Sequence, residues 1–556
     1  MHRQSLKLWA AAVLSAALLE LPFPLAGPMP AWRSVFAWLG LVPLLWAILS
    51  EANLEKPRPL RRSFLLAYLC GVLWYMGNCY WVRDTMMRYG DMPPTAPELL
   101  LVAFSLVLGL YFGLFGLGVM LVRRATGSSQ LALISAPFLW TALDLAAARI
   151  TSVPWDQLGY SQVDHGVANL LAPWTGVYGI TFLLVAANAL LASGLIPDGQ
   201  PKKWTSVHWT FVAIGAVIFA SGATGLAGKA PNSPTSATAV LVQPNLDVGG
   251  DNDWAAPGEW DGHIAQFTRL AGEQCKTYIA GIPQTNAPNG EIVCPPYPTQ
   301  PDLVVWPEAP APFFEGDPRF QQAMSTVAQA KQAPLIIGGL GADYDSTTKD
   351  RIEYYNAAMV IGPDGHRIGR YEKIHLVPFG EYIPFQQYLT FAHKLTGRVS
   401  QFTRGTDRSV FRLNGHRYGV FICYEAVFAD EVRQFAQLGA EVLVNISDDG
   451  WYGDTSAPWQ HLNMARMRAI ENRRWLLRDT NNGVTAAIDP YGRVRQSIPR
   501  HQTDALPASY GFRDDVTFYT AHGDVFAWVC AILSLGVVGW SFRENLRRTL
   551  QNKVRS

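Results

Sequence analysis

Long apolar stretches dominate the first 228 residues, and short polar connections separate them. A helix needs roughly 20 apolar residues to cross the hydrocarbon core of a bilayer. The pattern therefore predicts seven membrane spans here and an eighth near the C-terminus. More spans follow the first stretch at once, so we interpret it as an uncleaved span rather than a signal peptide. The predicted spans are residues 8–26, 34–50, 64–82, 99–122, 131–148, 174–196, 209–228 and 525–542.

A different pattern begins near residue 238, where short buried strands alternate with helical segments. Two hairpin signals accompany it, Pro363-Asp364-Gly365 and Asn414-Gly415. Strands alternating with helices predict a layered sheet with helices on its faces. The predicted strands are 239–242, 303–306, 335–337, 419–423 and 441–446, and the predicted helices are 258–275, 317–333 and 461–472.

These patterns divide the chain into a multi-pass α-helical membrane domain and an α/β domain. The small, Pro- and Ser-containing residues 229–237 are typical of a linker. The predicted units are a membrane domain of spans one to seven (1–228), the linker (229–237), the α/β domain (238–510), a connector (511–524), the eighth span (525–542) and a C-terminal tail (543–556). Gly109 and Gly113 lie one helical turn apart and favour close helix packing.

The low charge content of the chain agrees with a protein that is partly embedded in a membrane. Charged residues make up 16% of the chain and apolar residues 49%, whereas charged residues are about 25% of an ordinary soluble protein. The 45 basic and 44 acidic residues nearly cancel, giving a net charge of +1. That balance argues against a nucleic-acid binder, which needs an excess of positive charge to neutralise phosphates.

The basic residues predict the orientation in the membrane. They gather in the N-terminal tail, in every second connection and in the C-terminal tail, while the other connections contain few. By the positive-inside rule, both termini lie in the cytoplasm. Residues 229–524 then lie outside the cytoplasmic membrane, which is the periplasm if the cell has an outer membrane. The clustered basic residues are Arg3, Lys7, Lys56, Arg58, Arg61, Arg62, Arg123, Arg124, Lys202, Lys203, Arg543, Arg547, Arg548, Lys553 and Arg555.

The α/β domain, which the predicted topology places outside the cytoplasm and which we call the outer domain, contains three cysteines in different sequence surroundings. Cys275 and Cys294 flank a Pro- and Asn-rich stretch, and their spacing is compatible both with a disulfide and with two free thiols. Cys423 is then the remaining outer thiol. A free Cys is most often a small buried hydrophobe, so a chemical role for Cys423 needs further support.

Three short motifs supply that support. Residues 304–308 read VVWPE, which places Glu308 at the exit of a buried strand. Residues 370–384 read RYEKIHLVPFGEYIP and contain Lys373 and Glu381. Residues 420–425 read VFICYE, with Cys423 at a strand end. A thiolate nucleophile, an ammonium group that stabilises charge and a carboxylate that accepts a proton are the elements of covalent acyl transfer.

In these motifs the chain resembles the nitrilase superfamily, whose triad is Glu, Lys and Cys in that order. The eight predicted spans and the string KIHLVPFGEYIP are similar to its membrane-integrated branch, the apolipoprotein N-acyltransferase family. Residues 159–162 (GYSQ), 518–520 (FYT) and 523–524 (GD) also match that branch. The resemblance covers essentially the whole chain and implies an αββα sandwich for residues 238–510.

The resemblance implies roles for individual residues. Cys423 is the expected nucleophile, Glu308 the general base and Lys373 the electrostatic stabiliser. An adjacent ammonium group is also expected to lower the pKa of the thiol. Glu381 is expected to orient Lys373 or to help hold the oxyanion. Supporting residues expected beside the nucleophile are Tyr424 and Glu425, and those expected to bind substrate are Trp254, Phe379 and Tyr382. Trp260 is the alternative to Trp254.

Other parts of the sequence narrow or qualify this picture. Around His375 and His461 no cluster has metal-ligand spacing, so we expect no metal and no cofactor. The glycines of 338–341 only weakly resemble a phosphate-binding loop. Residues 243–245 (QPN) and 447–453 (SDDGWYG) depart from the family pattern, which affects loops near the substrate rather than the triad.

The resemblance implies a ping-pong acyl transfer in a bacterial inner membrane, carried out by a monomer. A membrane phospholipid, expected to be phosphatidylethanolamine, is the donor, and the N-terminal amine of a diacylglyceryl apolipoprotein is the acceptor. The alternative is a membrane-tethered amidase or nitrilase-like hydrolase with the same triad. A transporter with an inactive outer domain is a third reading, and the few charges within the spans argue against it.

Overall fold

The computed structural model of the chain describes residues 2–50, 59–90, 92–196, 231–248, 258–272, 300–309, 311, 313–344, 352–382 and 402–555. The predicted span 209–228, Trp254 and the cysteine pair Cys275 and Cys294 lie outside these residues. The described part contains a helical bundle and a two-sheet α/β domain.

The helical bundle is built from apolar helices of unequal length. Its helices are α1 (His2–Glu20), α2 (Val42–Ser50), α3 (Pro59–Asn78), α4 (Trp81–Tyr89), α5 (Ala96–Thr126), α6 (Ser129–Ala146), α7 (Ala172–Thr175) and α8 (Val177–Ser193), and α14 (Val525–Arg555) joins them from the C-terminal end. A 3₁₀ helix, Ala31–Trp38, precedes α2.

Four described helical segments are long and apolar enough to cross a membrane: Ala31–Ser50, Ala96–Thr126, Ser129–Thr151 and Val525–Gln551. Helices α3 and α4 make a fifth if the 48° bend between them lies within one span. Helix α8 is apolar but shorter, and α1 ends at Glu20, before the end of the predicted span 8–26. The structure therefore supports several spans, and the predicted count of eight is not confirmed.

Glycines let α5 approach α3 closely. A Cβ atom at Gly113 would lie 2.6 Å from the ring of Phe64, and one at Gly116 would lie 2.4 Å from the carbonyl oxygen of Ser63. At Gly109 it would lie 2.7 Å from Val72. The predicted packing role of Gly109 and Gly113 is therefore confirmed.

The α/β domain consists of two six-stranded sheets with mirrored order. The first has the order β12-β1-β2-β3-β4-β5 and the second β11-β10-β9-β8-β7-β6. In each sheet three adjacent strands are parallel, β1 to β3 in the first and β7 to β9 in the second. All other neighbouring strands pair antiparallel. The strands are β1 (Ala237–Gln243), β2 (Leu303–Trp306), β3 (Leu335–Tyr344), β4 (Ile352–Ile361), β5 (Arg367–Glu372), β6 (Val410–Leu413), β7 (His416–Ile422), β8 (Val442–Ser447), β9 (Trp475–Thr480), β10 (Thr485–Ile488), β11 (Val494–Ile498) and β12 (Asp504–Tyr510).

Successive side chains of a strand point to opposite faces of its sheet and so belong to different hydrophobic layers. On β2, Val305 joins the core between the two sheets, while Val304 and Trp306 face the opposite side. There Trp306 packs against Phe267 with ring centroids 4.7 Å apart. Helices cover the outer faces of both sheets. On the first sheet these are α9 (Glu259–Leu270) and α10 (Pro318–Lys331), and on the second they are α11 (Ala429–Gln437) and α12 (Ala457–Asn472). The short α13 (Phe518–His522) leads to α14. The predicted α/β domain is therefore confirmed, with two sheets and helices on their outer faces.

Several predicted elements gain length in the structure. The predicted strand 335–337 continues to Tyr344, so the glycines of 338–341 lie inside β3 rather than in a loop. The predicted helix 461–472 begins at Ala457. Both predicted hairpin turns join antiparallel strands, β4 to β5 and β6 to β7.

Helix α12 joins the α/β domain to the bundle, and it is buried along its whole length. The Trp155 indole donates to Gln460 Oε1 at 2.8 Å. Arg468 Nη2 donates to the Tyr160 hydroxyl at 2.9 Å and to Glu471 Oε1 at 3.1 Å. The backbone N–H of Val177 donates to the same carboxylate at 3.0 Å.

We expect Glu471→Ala to lower the free energy of unfolding by about 3–5 kcal/mol, because it leaves the buried guanidinium of Arg468 without its carboxylate. Thermal unfolding in detergent measures the change. Glu544→Ala is the matched control, since it removes a partly exposed carboxylate 3.0 Å from the exposed Arg548 and is expected to change stability little. Equal effects of the two substitutions would contradict this account of the interface.

Candidate active site

The three residues predicted to act as a triad lie at the exits of three strands. Glu308 lies two residues beyond β2, Lys373 directly follows β5, and Cys423 directly follows β7. Since β7 belongs to the second sheet, the site lies where loops of the two sheets meet.

Lys373 lies between two carboxylates. Its Nζ atom is 2.8 Å from Glu308 Oε1 and 2.9 Å from Glu381 Oε1, and the lysine is only 1% exposed. Burial disfavours the ammonium form, but the carboxylates of Glu308 and Glu381 outweigh it and hold the pKa of Lys373 well above its ordinary value. The lysine is therefore a permanent cation in the site, and Glu381 contacts it as predicted.

Asn356 is a site residue that sequence reasoning missed. Its amide Nδ2 atom on β4 donates to Glu308 Oε1 and to Glu381 Oε1, each at 2.7 Å. The asparagine thus bridges the two carboxylates that Lys373 also contacts. No motif marks it, because its only sequence signal is a polar residue directly before the apolar half of β4.

Two backbone N–H groups donate to the remaining oxygens of Glu308 and Glu381. The N–H of Asp448 donates to Glu308 Oε2 at 2.9 Å, and the N–H of Val377 donates to Glu381 Oε2 at 2.7 Å. Each carboxylate therefore has fixed partners on both oxygens. Burial and the charge of Glu308 raise the pKa of Asp448 to about 8.

Gly338 on β3 makes room for the turn that carries Glu308. A Cβ atom at this position would lie 2.1 Å from the carbonyl oxygen of Pro307 and 2.7 Å from Glu308 Cα. The glycine-rich stretch therefore serves the close approach of two backbone segments rather than a phosphate.

Cys423 sits on a sharp turn from β7 into a 3₁₀ helix, Cys423–Val427. Its φ is 48°, in the left-handed region that non-glycine residues rarely adopt, and the residue is 5% exposed. Burial, reinforced by the charge of Glu308, raises the pKa of the thiol well above its ordinary value, although Lys373 acts in the opposite direction. Lys373 thus acts on the thiol pKa in the predicted direction, but burial and Glu308 outweigh it.

Glu425 braces the loops around the nucleophile. Its carboxylate accepts four hydrogen bonds at 2.6–3.1 Å, and it is fully buried. The donors are the Tyr371 hydroxyl and the backbone N–H groups of Ile374, His375 and Ile422. Glu425 thus ties the segment after Lys373 to the strand before Cys423.

Tyr424 connects the nucleophile to the helical bundle. Its hydroxyl donates to the carbonyl oxygen of Ser152 at 3.0 Å. Its ring lies 6.5 Å from that of Trp155, nearly parallel at 20°. The residue next to Cys423 therefore rests on the loop that follows α6.

A buried ionic group behind Cys423 was not predicted as part of the site. The Nε2 atom of His461 lies 3.0 Å from the carbonyl oxygen of Cys423, and its Nδ1 atom lies 3.0 Å from Asp449 Oδ1. Arg478 donates to both oxygens of Asp449 at 3.0 and 2.8 Å. The sequence marked His461 only by its residue type, because its partners are 12, 17 and 38 residues away.

The residues predicted to bind substrate lie in different places. Phe379 is half-buried with φ 62°, its N–H donates to the Tyr382 carbonyl at 2.8 Å, and Tyr382 is exposed. These two form a turn directly beside Glu381. Trp260 packs against Phe313 on the outer side of the first sheet, with ring centroids 5.5 Å apart. The structure thus places Trp260 in a packed core, and Trp254 is outside the described residues.

Comparisons with known proteins match both parts of the chain. Residues 290–506 match the carbon-nitrogen hydrolase family, and residues 15–190 match the apolipoprotein N-acyltransferase N-terminal domain. An apolipoprotein N-acyltransferase of Geobacter metallireducens is 33% identical over 540 residues, covering 96% of this chain and 95% of the relative. One of Vibrio cholerae is 29% identical over 95% of this chain and 97% of that protein. Among solved structures, Saccharomyces cerevisiae Nit3, of the nitrilase superfamily, is 17% identical over 52% of this chain and 97% of its own, with a TM-score of 0.34.

We expect Gly338→Ala to lower the free energy of unfolding by roughly 1–3 kcal/mol, because the new methyl group displaces the Glu308 turn. Gly262→Ala is the matched control, since Gly262 lies within α9 with nothing within 4 Å of a Cβ atom. That substitution is expected to raise stability by up to about 1 kcal/mol. Thermal unfolding of both variants gives the comparison, and a neutral Gly338→Ala would contradict the close approach.

We expect the alkylation rate of Cys423 by iodoacetamide to keep rising with pH beyond the ordinary thiol pKa of about 8.5. The reason is that a raised pKa leaves the group as a thiol at neutral pH, and only the thiolate reacts. Peptide-resolved mass spectrometry measures the rate. Glu308→Gln removes a negative charge that raises the pKa, so its curve is expected to shift to lower pH. A rate that is already constant near neutral pH would refute the prediction.

Proposed function

The chain belongs to the apolipoprotein N-acyltransferase family, and from that premise we propose that it moves an acyl chain from a membrane phospholipid to a lipoprotein N-terminus through a thioester on Cys423. The enzyme is an acyltransferase. The donor that we propose is phosphatidylethanolamine, and the acceptor is the α-amine of a diacylglyceryl-cysteine apolipoprotein. The catalytic residues in this proposal are Glu308, Lys373 and Cys423.

In the first step, the Cys423 sulfur attacks an ester carbonyl of the phospholipid, at its sn-1 position in our proposal. The thiol proton passes to Glu308, whose oxygens are held by Asn356 and Asp448. A carbon–sulfur bond forms and the ester carbon–oxygen bond breaks. The departing lysophospholipid takes the proton from Glu308, so the carboxylate is restored.

In the second step, the lipoprotein amine attacks the thioester. A carbon–nitrogen bond forms, the carbon–sulfur bond breaks, and the amine proton returns to the sulfur by way of Glu308. Both steps pass through a tetrahedral oxyanion. The permanent cation Lys373 stabilises that charge, and Glu381 keeps the lysine in place from its other side.

One observation carries the proposal of lipid substrates: the hydrogen bond from Tyr424 to Ser152 ties the nucleophile turn to the helical bundle. Acyl chains leave the bilayer only at a cost of about 0.8 kcal/mol per CH₂ group. A thiol that rests on membrane helices can receive a chain that stays in lipid. The turn of Phe379 and Tyr382 and the region of Trp254 are our candidates for contact with the chains, with Tyr424 and Glu425 as supports.

The proposed topology follows from the same premise. We propose eight spans, with both termini in the cytoplasm and residues 238–510 on the periplasmic side of a bacterial inner membrane. The boundaries at 228, 237, 510, 524 and 542 are part of this proposal. We also propose a monomer as the active unit. The reaction as written requires no cofactor.

The alternative is a membrane-tethered hydrolase that passes the acyl group to water. The same triad would form the same thioester, so the site alone does not separate the two. The extent of the bundle favours the transferase, because a single anchor would suffice to tether a hydrolase.

We expect the wild-type protein to form a labelled acyl-enzyme when incubated with phospholipid carrying a labelled acyl chain, and Cys423→Ala to form none. Hydroxylamine release identifies the thioester. Cys530→Ala is the matched control, since it removes a buried thiol of α14 and is expected to leave the label unchanged.

The acceptor decides between the two activities. A transferase is expected to hold the thioester until a diacylglyceryl lipopeptide is added and then to yield the amide. Decay at the same rate without lipopeptide would establish the hydrolase, and a wild-type protein that forms no acyl-enzyme would refute the thioester mechanism.

A further inference from the structure

His461 is a fully buried side chain that the proposed chemistry does not use. It lies on α12, behind the nucleophile, and contacts the main chain of Cys423 rather than its sulfur. The 3.0 Å contact joins Nε2 to the carbonyl oxygen of Cys423, whose φ of 48° lies in the strained left-handed region. Both ring nitrogens have fixed neighbours.

The partners determine which nitrogen carries the hydrogen. A carbonyl oxygen can only accept, so Nε2–H donates to Cys423. Nδ1 lies 3.1 Å from Arg478 Nη2 and 3.0 Å from Asp449 Oδ1. In the neutral ring it accepts from Arg478, while the Asp449 carboxylate receives its hydrogen bonds from Arg478 and Ser447. Burial and the charge of Arg478 lower the pKa of His461, which agrees with a neutral ring of this single tautomer.

The conformation of Cys423 needs such a donor. A non-glycine residue at φ 48° costs about 1–3 kcal/mol, so it persists only when its surroundings hold it. On the N-terminal side, the N–H of Ile422 is bound to Glu425 Oε2 at 2.7 Å. On the C-terminal side of the Cys423 Cα, the carbonyl is bound to His461. The first contact fixes the peptide unit before Ile422, and the second fixes the peptide unit directly after the Cys423 Cα, so the turn is held on both sides of the nucleophile.

The histidine ring is enclosed by neighbouring groups. Asp449 and Arg478 hold it on one side. The ring of Trp155, from the helical bundle, lies 6.1 Å away at 24°, and that of Tyr452 lies 5.9 Å away at 76°. A rigid donor is suited to maintain a strained turn.

We propose that His461 is a positioning residue that holds Cys423 in its left-handed conformation through Nε2–H, and so aims the sulfur at the donor ester. This inference rests on the proposed thioester mechanism. It assigns His461 no proton transfer to or from the substrate, and it predicts an effect on the rate of acylation rather than on phospholipid binding.

A pair of isosteric variants tests the proposal in the full-length protein in detergent with labelled phospholipid. In His461→Gln the amide nitrogen can occupy the place of Nε2, whereas in His461→Asn it can occupy only the place of Nδ1. We expect the glutamine variant to keep most of the acylation rate constant. The asparagine variant is expected to lose roughly tenfold to hundredfold, with the KM for phospholipid nearly unchanged.

Thermal unfolding of both variants accompanies the kinetics. Equal acylation rates in the two folded variants would overturn the proposal, as would a loss that appears in KM alone. If the asparagine variant does not fold, the glutamine variant decides: a rate near wild type supports the proposal, and a roughly hundredfold loss in folded protein overturns it. Failure of the wild type to form any acyl-enzyme would instead refute the proposed function.

Discussion

The buried cation of Lys373 is the interaction on which the rest of the site depends. A charge removed from water is costly unless its partners are close and well oriented, and here two carboxylates lie within 2.9 Å of it. Two acids around one base leave an excess negative charge, so the acids need donors of their own. Asn356 and the N–H groups of Asp448 and Val377 supply them. The site is therefore built to satisfy an ionic cluster, and the thiol is placed against it.

That cluster explains why the thiol is not ionised in advance. Burial and Glu308 disfavour a thiolate more than Lys373 favours it. A neutral thiol beside a carboxylate can lose its proton as the sulfur attacks, so negative charge moves from the acid to the oxyanion near the lysine. A thiol held in this form also resists oxidation, because the thiolate is the reactive species.

The helical bundle is part of the site rather than only its anchor. Tyr424 rests on Ser152, and α12 is bonded to the bundle through Gln460, Arg468 and Glu471. Helix α12 also carries His461, which contacts the Cys423 carbonyl. The nucleophile turn is thus fixed from the bundle on one side and from the two sheets on the other. The proposed function accounts for this union, since in it the acyl chain stays in the bilayer while its ester reaches the thiol.

The sequence by itself determined the division into apolar bundle and α/β domain, the hairpins, the strand exits that carry Glu308 and Cys423, and the motif that contains Lys373. These follow from local periodicity, turn residues and short motifs, which act over a few neighbours. Only the tertiary structure decided the direction in which the pKa of the Cys423 thiol shifts, the roles of Asn356 and Gly338, and the contact of His461 with Cys423. Each depends on residues far apart in the chain: Asn356 lies 48 residues from Glu308 and His461 lies 38 from Cys423. Electrostatic fields and close packing are set by distance in space, and no local pattern records that distance.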